Sequence, residues 1–305
     1  TSDLGDLPLP AHQLMKKAYY QRRKRASVSV VASRGCPMRC SYCAISSRAD
    51  HAGSFRMRPV DHVAREIRNL LATHDPGFID FEDENLCLDA GWFFSLFDRI
   101  TPLLKNRNRE GRRIELRAMN GLFPPSVSPE VVRVMTKAGF KTLNLALATT
   151  DPAQLKRFAR PDVRPALEKA LDNARDQGLS AVTYIIGAAP GQTALSSLQD
   201  LIYLSGKRTL CGFSVFYPAP GSPAFETCRR KRLLPDHTDR FRATALPVSD
   251  TTTRLEAVTL LRLSRILNFM KDCIDSDSGI PAPRPFNPAD LPIPHAIRQC
   301  PKTLP

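Results

Sequence analysis

The feature that most limits what this chain can fold into is the alternation of short β-rich runs with longer helical ones between about residues 27 and 230. Strand-like runs fall at Ser27–Ser33, Phe78–Phe81, Arg113–Ala118, Thr142–Leu147, Ala181–Ile186 and Gly212–Tyr217. Helical periodicity fills the gaps. Val60–Leu71 follows Pro59 and carries Val63, Ile67 and Leu70 at helical spacing; Trp92–Leu104 comes next, then Pro129–Ala138, closed by Gly139. Two further helical stretches lie near 164–177 and 194–206. A strand reaches a parallel neighbour only through a long crossover, so this order predicts an α/β fold built on a parallel sheet. Six units are short of the eight of a closed barrel and suit a partial (β/α)6 TIM-like barrel. A doubly wound open sheet is the alternative, but no glycine-rich dinucleotide fingerprint follows the first strand.

The first loop of this pattern reads Arg34-Gly35-Cys36-Pro37-Met38-Arg39-Cys40-Ser41-Tyr42-Cys43. Three of the eight cysteines therefore stand at C-x3-C-x2-C directly after a strand. Eight cysteines in 305 residues are too sparse for a disulfide scaffold, and this clustering reads as a metal site in a reducing compartment. Three thiolates so close can cap three irons of a 4Fe–4S cube and leave the fourth iron open for a ligand. A structural zinc site, completed by His51 or a distant cysteine, is a second reading, and three unrelated buried thiols a third. Cys87, Cys211, Cys228, Cys273 and Cys300 make no second cluster in the sequence.

The loop, including Tyr42 before the last cysteine, resembles the cluster-binding loop of the radical SAM superfamily. That resemblance implies Cys36, Cys40 and Cys43 as ligands, with S-adenosylmethionine (SAM) chelating the open iron and Tyr42 near its adenine. Electron transfer then splits SAM into methionine and a 5′-deoxyadenosyl radical. The stretch SRGCPMRCSYC followed by FRMRPVDHVAREI is similar to the subgroup that carries a cobalamin-binding domain upstream. So are Asn120-Gly121-Leu122, MTKAGF at 135–140 and YPAPGSP at 217–223. In that subgroup a segment like Asp6–Pro10 joins the two domains. With Thr1 as its first residue, the chain is expected to be the part of a longer protein that lacks the cobalamin domain.

The remaining site residues are expected where a parallel barrel gathers its chemistry, at the C-terminal strand ends. Glu82, Asp83, Glu84 and Asn85 follow the second strand, where the family grips the methionyl ammonium; an acidic loop capping the next helix explains them equally well. Arg117 and Asn120 end the third strand and suit a carboxylate or hydroxyl. Gly187 opens a small-residue turn after the fifth strand that would let the backbone approach an adenine; a plain turn is the other reading. Two positions depart from the family pattern. Ala148 replaces the glutamate of Leu-Glu-Thr, and Gln192 that of Pro-Gly-Glu, which puts the strength of SAM binding in question.

The chain holds 44 Lys and Arg against 30 Asp and Glu, a net charge of +14, and a net +8 of it lies in residues 1–58 around the cysteine loop. Charge gathered at one loop ranks nucleic acid low among partners, because a nucleic-acid coat would spread it. The opposing hypothesis is a basic structural metal-binding module, zinc or iron–sulfur, docking on nucleic acid or an acidic partner without catalysis. The radical SAM reading instead implies a small-molecule or unknown substrate and an electron donor such as flavodoxin or ferredoxin. No apolar run is long enough for a membrane helix, and the opening residues show no charged-then-apolar signal pattern, so a cytoplasmic setting is expected. By organisation, 1–26 reads as a linker or N-terminal extension, 27–232 as the core barrel, and 233–305 as a helical extension with a Pro-rich tail. The tail has eight prolines between Ile280 and Pro305. A helix at 253–273 is expected to pack on the barrel.

Overall fold

The computed structural model describes residues 3–14, 21–22, 25–45, 55–109, 113–237 and 246–276. His51, Cys300 and the proline-rich stretch lie outside these. The chain divides into two compact units, Thr1–Asn268 and Phe269–Pro305.

Six strands of the first unit run parallel, as the alternation predicts. β2 (Arg25–Val30), β5 (Pro76–Phe81) and β6 (Glu115–Arg117) form one set, edged by the short antiparallel β1 (Gln21–Arg22). β7 (Thr142–Ala148), β8 (Ser180–Gly187) and β9 (Leu210–Val215) form the other. Isolated parallel bridges, Leu116 to Phe140 and Leu122 to Leu145, link the two sets across the β6–β7 connection. A two-stranded piece, β3 (Ser33–Arg34) with β4 (Arg56–Met57), stands apart.

The crossover helices are α1 (Val60–Thr73), α2 (Ala90–Arg109), α3 (Pro129–Ala138), α5 (Arg164–Asp176) and α6 (Ala194–Ser205). Two short helices break the pattern, α4 (Pro152–Phe158) and α7 (Pro223–Arg230), and α8 (Arg254–Asp275) follows. Gly139 ends α3 at φ +112°, a left-handed residue whose N–H returns to the Met135 and Thr136 carbonyls. One face of the strands is apolar and packs under the helices: Val28, Val30, Ile79, Phe81, Leu143 and Leu145 are buried with Ile67, Phe93, Phe97 and Leu167. The alternate residues, Ser27, Ser29, Asp80 and Arg117, turn the other way and line a cavity of about 570 Å³. Strand periodicity thus makes one polar wall and one apolar wall from the same chain.

The structure trims three predicted strands: β2 ends at Val30, whose pair with Phe81 is its last with β5. β9 stops at Val215, because its partner β8 stops at Gly187, which pairs with Val215. β6 shrinks to three residues because it pairs with β5 only over Phe78–Asp80. The edge of β9 is covered by α8: Asn268 Nδ2 donates to the Cys211 carbonyl (2.9 Å), and the Cys211 N–H donates to Asn268 Oδ1 (2.7 Å). One amide thus replaces a neighbouring strand at the point where the ladder would be left unpaired. Asn268→Ala is expected to lower stability by about 1–3 kcal/mol, because two part-buried hydrogen bonds from the side chain to the backbone are lost. Chemical denaturation measures this, and an unchanged midpoint would contradict it.

Candidate metal centre

β3 leads straight into the cysteine loop, and Gly35 turns the chain at φ +90°. That conformation suits glycine, which has no Cβ to clash. A turn closes the far end of the loop, with the Cys43 N–H donating to the Cys40 carbonyl at 3.1 Å.

Ser41, between the second and third cysteines, is fixed by two helix ends. Its N–H donates to the Phe158 carbonyl (2.9 Å), and its hydroxyl to the Arg157 carbonyl (2.7 Å). Its own carbonyl accepts the Ala224 N–H at 2.8 Å. Phe158 and Arg157 close α4, and Ala224 lies in the first turn of α7, so these are backbone groups that helices leave unsatisfied. Local sequence sets both ends. Asp151 caps the N-terminus of α4 ahead of Pro152, and Ala159 ends the helix at φ +50°. Ser222, ahead of Pro223, caps α7 by accepting from the Phe225 N–H.

The entry to the loop is held by the acidic turn after β5. The Asp83 carboxylate accepts from the Ala32 N–H (3.3 Å), the Ser33 N–H and the Ser33 hydroxyl (2.5 Å). Glu84 Oε2 accepts from the Gly35 N–H at 3.2 Å. Asn120 Nδ2 donates to the Asp83 carbonyl at 3.2 Å, tying the end of the third strand unit to the same turn. Two of the carboxylates expected to grip an ammonium therefore bond the backbone ahead of Cys36.

Burial pushes the Asp83 carboxyl up to about 6, against the three hydrogen bonds that favour its ionised form. The folded protein then keeps this proton to about pH 6, whereas the unfolded chain releases it near 3.8. Between those values the folded state binds more protons, so this group makes stability fall as pH rises through the window. Tm of the wild type is expected to drop relative to Asp83→Asn from pH 4 to 6 and to run parallel above it. Parallel curves throughout would contradict this.

The remaining expected residues fall into different places. Glu82 is exposed and lines the polar cavity, and its N–H donates to the Val30 carbonyl at 2.9 Å. Asn85 is buried, with Oδ1 accepting from Ser126 Oγ at 3.5 Å. Arg117 is buried at the end of β6. Its Nε pairs with Asp80 Oδ1 (2.5 Å), its Nη2 reaches Asp80 Oδ2 and Ser27 Oγ (both 2.7 Å), and its guanidinium lies over the Phe78 ring. Gly187 serves internal packing: a Cβ there would lie 2.3 Å from the Phe213 ring. Tyr42 packs edge-on against Phe158 at 4.9 Å in a second apolar cluster with Ala148, Ala189, Phe216 and Cys228. Ala148, at the departure from the family pattern, ends β7 at φ +72°, where the register with β8 shifts. Gln192 is buried. Its Oε1 accepts from the Ala189 N–H, and its Nε2 has no hydrogen-bond partner among the described residues.

Cys40 is buried, while Cys36 and Cys43 are half-buried. Burial raises the Cys36 thiol, and the nearby Cys40, Cys43 and Glu84 raise it further by repulsion. Three thiolates in one loop thus need positive charge among them. Among the described residues no three His, Cys, Asp or Glu side chains converge as a single ion requires. A cube presents its irons at separate corners, so soft sulfur donors spread along one loop fit it. A cation is already at hand: Arg160 Nη1 donates to Cys40 Sγ at 3.6 Å. Arg160 and the helix before it are what the sequence reading missed. The signal was Asp151-Pro152, a helix start in front of a run that looks like a solvated charged stretch.

A family model described as the radical SAM superfamily matches residues 30–196, more than half of the chain. The chain belongs to the radical SAM superfamily. Among curated relatives, the hopanoid C-2 methylase of Rhodopseudomonas palustris is 25% identical over 154 residues, 50% of this chain and 27% of that protein. An uncharacterized methyltransferase of Pyrococcus horikoshii is 22% identical over 267 residues, 87% of this chain and 55% of its own length. The chain thus spans between about a quarter and just over half of these relatives. The radical SAM methyltransferase TsrM from Kitasatospora setae, solved with cobalamin and a [4Fe–4S] cluster, superposes with a TM-score of 0.56 at 18% identity. The match covers 69% of this chain and 41% of TsrM, and it shows that the radical SAM fold is shared.

Proposed function

We propose that this chain is the core of a radical SAM enzyme that holds a 4Fe–4S cluster on Cys36, Cys40 and Cys43 and cleaves SAM reductively. The observation that carries the reading is the C-x3-C-x2-C loop, which carries three thiols along one segment and is clamped at its entry and at Ser41. When bound, the cluster and SAM supply one-electron cleavage of a C–S bond and hence a carbon radical. The chain's own residues fix the loop, bury Cys40 and bring a guanidinium to its sulfur. They also line a polar cavity beside the strands, whose exposed carboxylate is Glu82. In this reading residues 27–232 are a partial (β/α)6 barrel, residues 1–26 and 233–305 are extensions, and the cavity lies within the barrel.

The reaction class proposed is methyl transfer to a small-molecule substrate. The hopanoid methylase and the methyltransferase TsrM support it, as does the similarity of the cysteine loop and its flanks to the cobalamin-associated subgroup. Cobalamin would come from a separate domain of the whole protein, and the electron from a flavodoxin or ferredoxin in the cytoplasm. Among the described residues no helix is long and apolar enough to cross a membrane. Tyr42, Glu82, Asn85 and Arg117 are the residues proposed to face SAM, with Asp83, Glu84 and Asn120 acting through the loop they hold and Gly187 through its packing on Phe213.

Anaerobic reconstitution with iron and sulfide tests this reading. About four irons per chain are expected, with 5′-deoxyadenosine released from SAM after dithionite reduction. Cys40→Ser should take both to background. An intact cluster that yields neither deoxyadenosine nor a methylated product would contradict it.

A further inference from the structure

Ser41, one residue past Cys40, also forms part of the wall of an open groove of about 250 Å³ between α4 and α7. The apolar lining of the groove is Phe158 and Phe216, stacked at 6.4 Å, with Pro190, Pro223 and Ala224. Its walls are fixed to one another. The Ser41 backbone bonds to Phe158 of α4 and Ala224 of α7, and the turn at Pro190 is tied to both helices. Arg157 Nη2 donates to the Gly191 carbonyl (2.8 Å), the Gly191 N–H donates to Asp250 Oδ1 (2.9 Å), and Lys231 Nζ donates to Asp250 Oδ2 (2.5 Å).

The two helices bring an excess of positive charge to this place. Lys156 and Arg157 on α4 are exposed, as are Arg229, Arg230, Lys231 and Arg232 at the end of α7. Three carboxylates answer them: Asp151 lies 4.0 Å from Arg157, Glu226 pairs with Arg229 (2.6 Å), and Asp250 with Lys231 (2.5 Å). Lys156, Arg230 and Arg232 have no carboxylate partner among the described residues. Arg230 Nη2 is nevertheless held beside the groove, 3.5 Å from the hydroxyl of Thr227, which lines it. Exposed cations left unpaired on one face do little for folding and attract a negatively charged partner from a distance.

We propose that this groove is the docking face for a small acidic flavoprotein that delivers the electron to the cluster. This rests on the proposed function, in which Cys40 and Cys43 ligate iron. Three observations choose the occupant. A partner seated in the groove touches Ser41, the residue between those two ligands in contact with both helices, so it stands next to the centre that must be reduced. The unpaired cations fit an acidic rim on the partner. The small apolar floor fits the flat apolar edge of a flavin, and its size suits a transient electron-transfer encounter, a class that buries little surface. One electron leaves the reduced flavin, which is oxidised, and enters the cluster, where iron is reduced; no bond and no proton of this chain changes.

The test follows reduction of the reconstituted full chain by stopped-flow absorbance, with flavodoxin hydroquinone as one electron source and dithionite as the other. Lys156→Glu combined with Arg230→Glu is expected to slow reduction by flavodoxin about tenfold at about 50 mM salt. Its iron content and its rate with dithionite should match the wild type. Raising the salt to about 300 mM should bring the wild-type flavodoxin rate down toward that of the variant. Arg133→Glu combined with Lys169→Glu, the same change of net charge on α3 and α5, should keep the wild-type rate. Binding is read separately: carbodiimide should crosslink carboxylates of oxidised flavodoxin to Lys156 or Lys231. Equal flavodoxin rates in the wild type and the Lys156/Arg230 variant would overturn the proposal, as would an equal loss in the control pair or crosslinks confined to other lysines. Sedimentation showing a dimer that the Lys156/Arg230 variant splits would assign the groove to a second copy and overturn it too. A wild type in which dithionite reduces no 4Fe–4S cluster would instead remove the functional reading beneath it.

Discussion

Everything at the candidate site depends on unsatisfied helix-end groups finding partners in the cysteine loop. α4 ends with carbonyls that no further turn accepts, α7 begins with N–H groups that no earlier turn satisfies, and Ser41 meets both. The contact joins residues more than 100 positions apart, so a local loop geometry is held by long-range order. Asp83 and Glu84 do the same at the loop's entry, taking N–H groups from Ala32, Ser33 and Gly35. The thiols are therefore presented by the fold as a whole, and the loop sequence alone does not suffice to place them.

The same geometry gives the acidic turn a double character. Read along the chain, Glu82 to Asn85 is a set of ligands for a cation. In the fold, Asp83 and Glu84 bond backbone, while Glu82 alone remains exposed toward the polar cavity. The positive charge concentrated around the cysteine loop in the sequence matters here through one residue from elsewhere, Arg160, whose guanidinium reaches Cys40.

How much of this was legible depended on whether the cause was local. The six parallel strands and the helices from Val60 and Pro129 followed from periodicity, because one apolar face must be buried wherever such a segment sits. Strand ends did not, since β9 stops where β8 stops supporting it. The three cysteines announced themselves by spacing. The roles of Asp83 and Gly187 did not, because they are set by Ser33 and Phe213, partners far away in the chain. Arg160 was hidden for the same reason: α4 is too short for periodicity to show, and a basic run reads as a solvated surface until the chain turns back at Ala159.

The central claim is that three thiols of one clamped loop hold a cluster with an open iron that SAM occupies. The most direct measurement is the EPR spectrum of the reconstituted, dithionite-reduced protein before and after SAM is added. The account predicts a 4Fe–4S signal whose g-values change when SAM binds the cluster. A spectrum with no such signal, or one that SAM leaves unaltered, would contradict it.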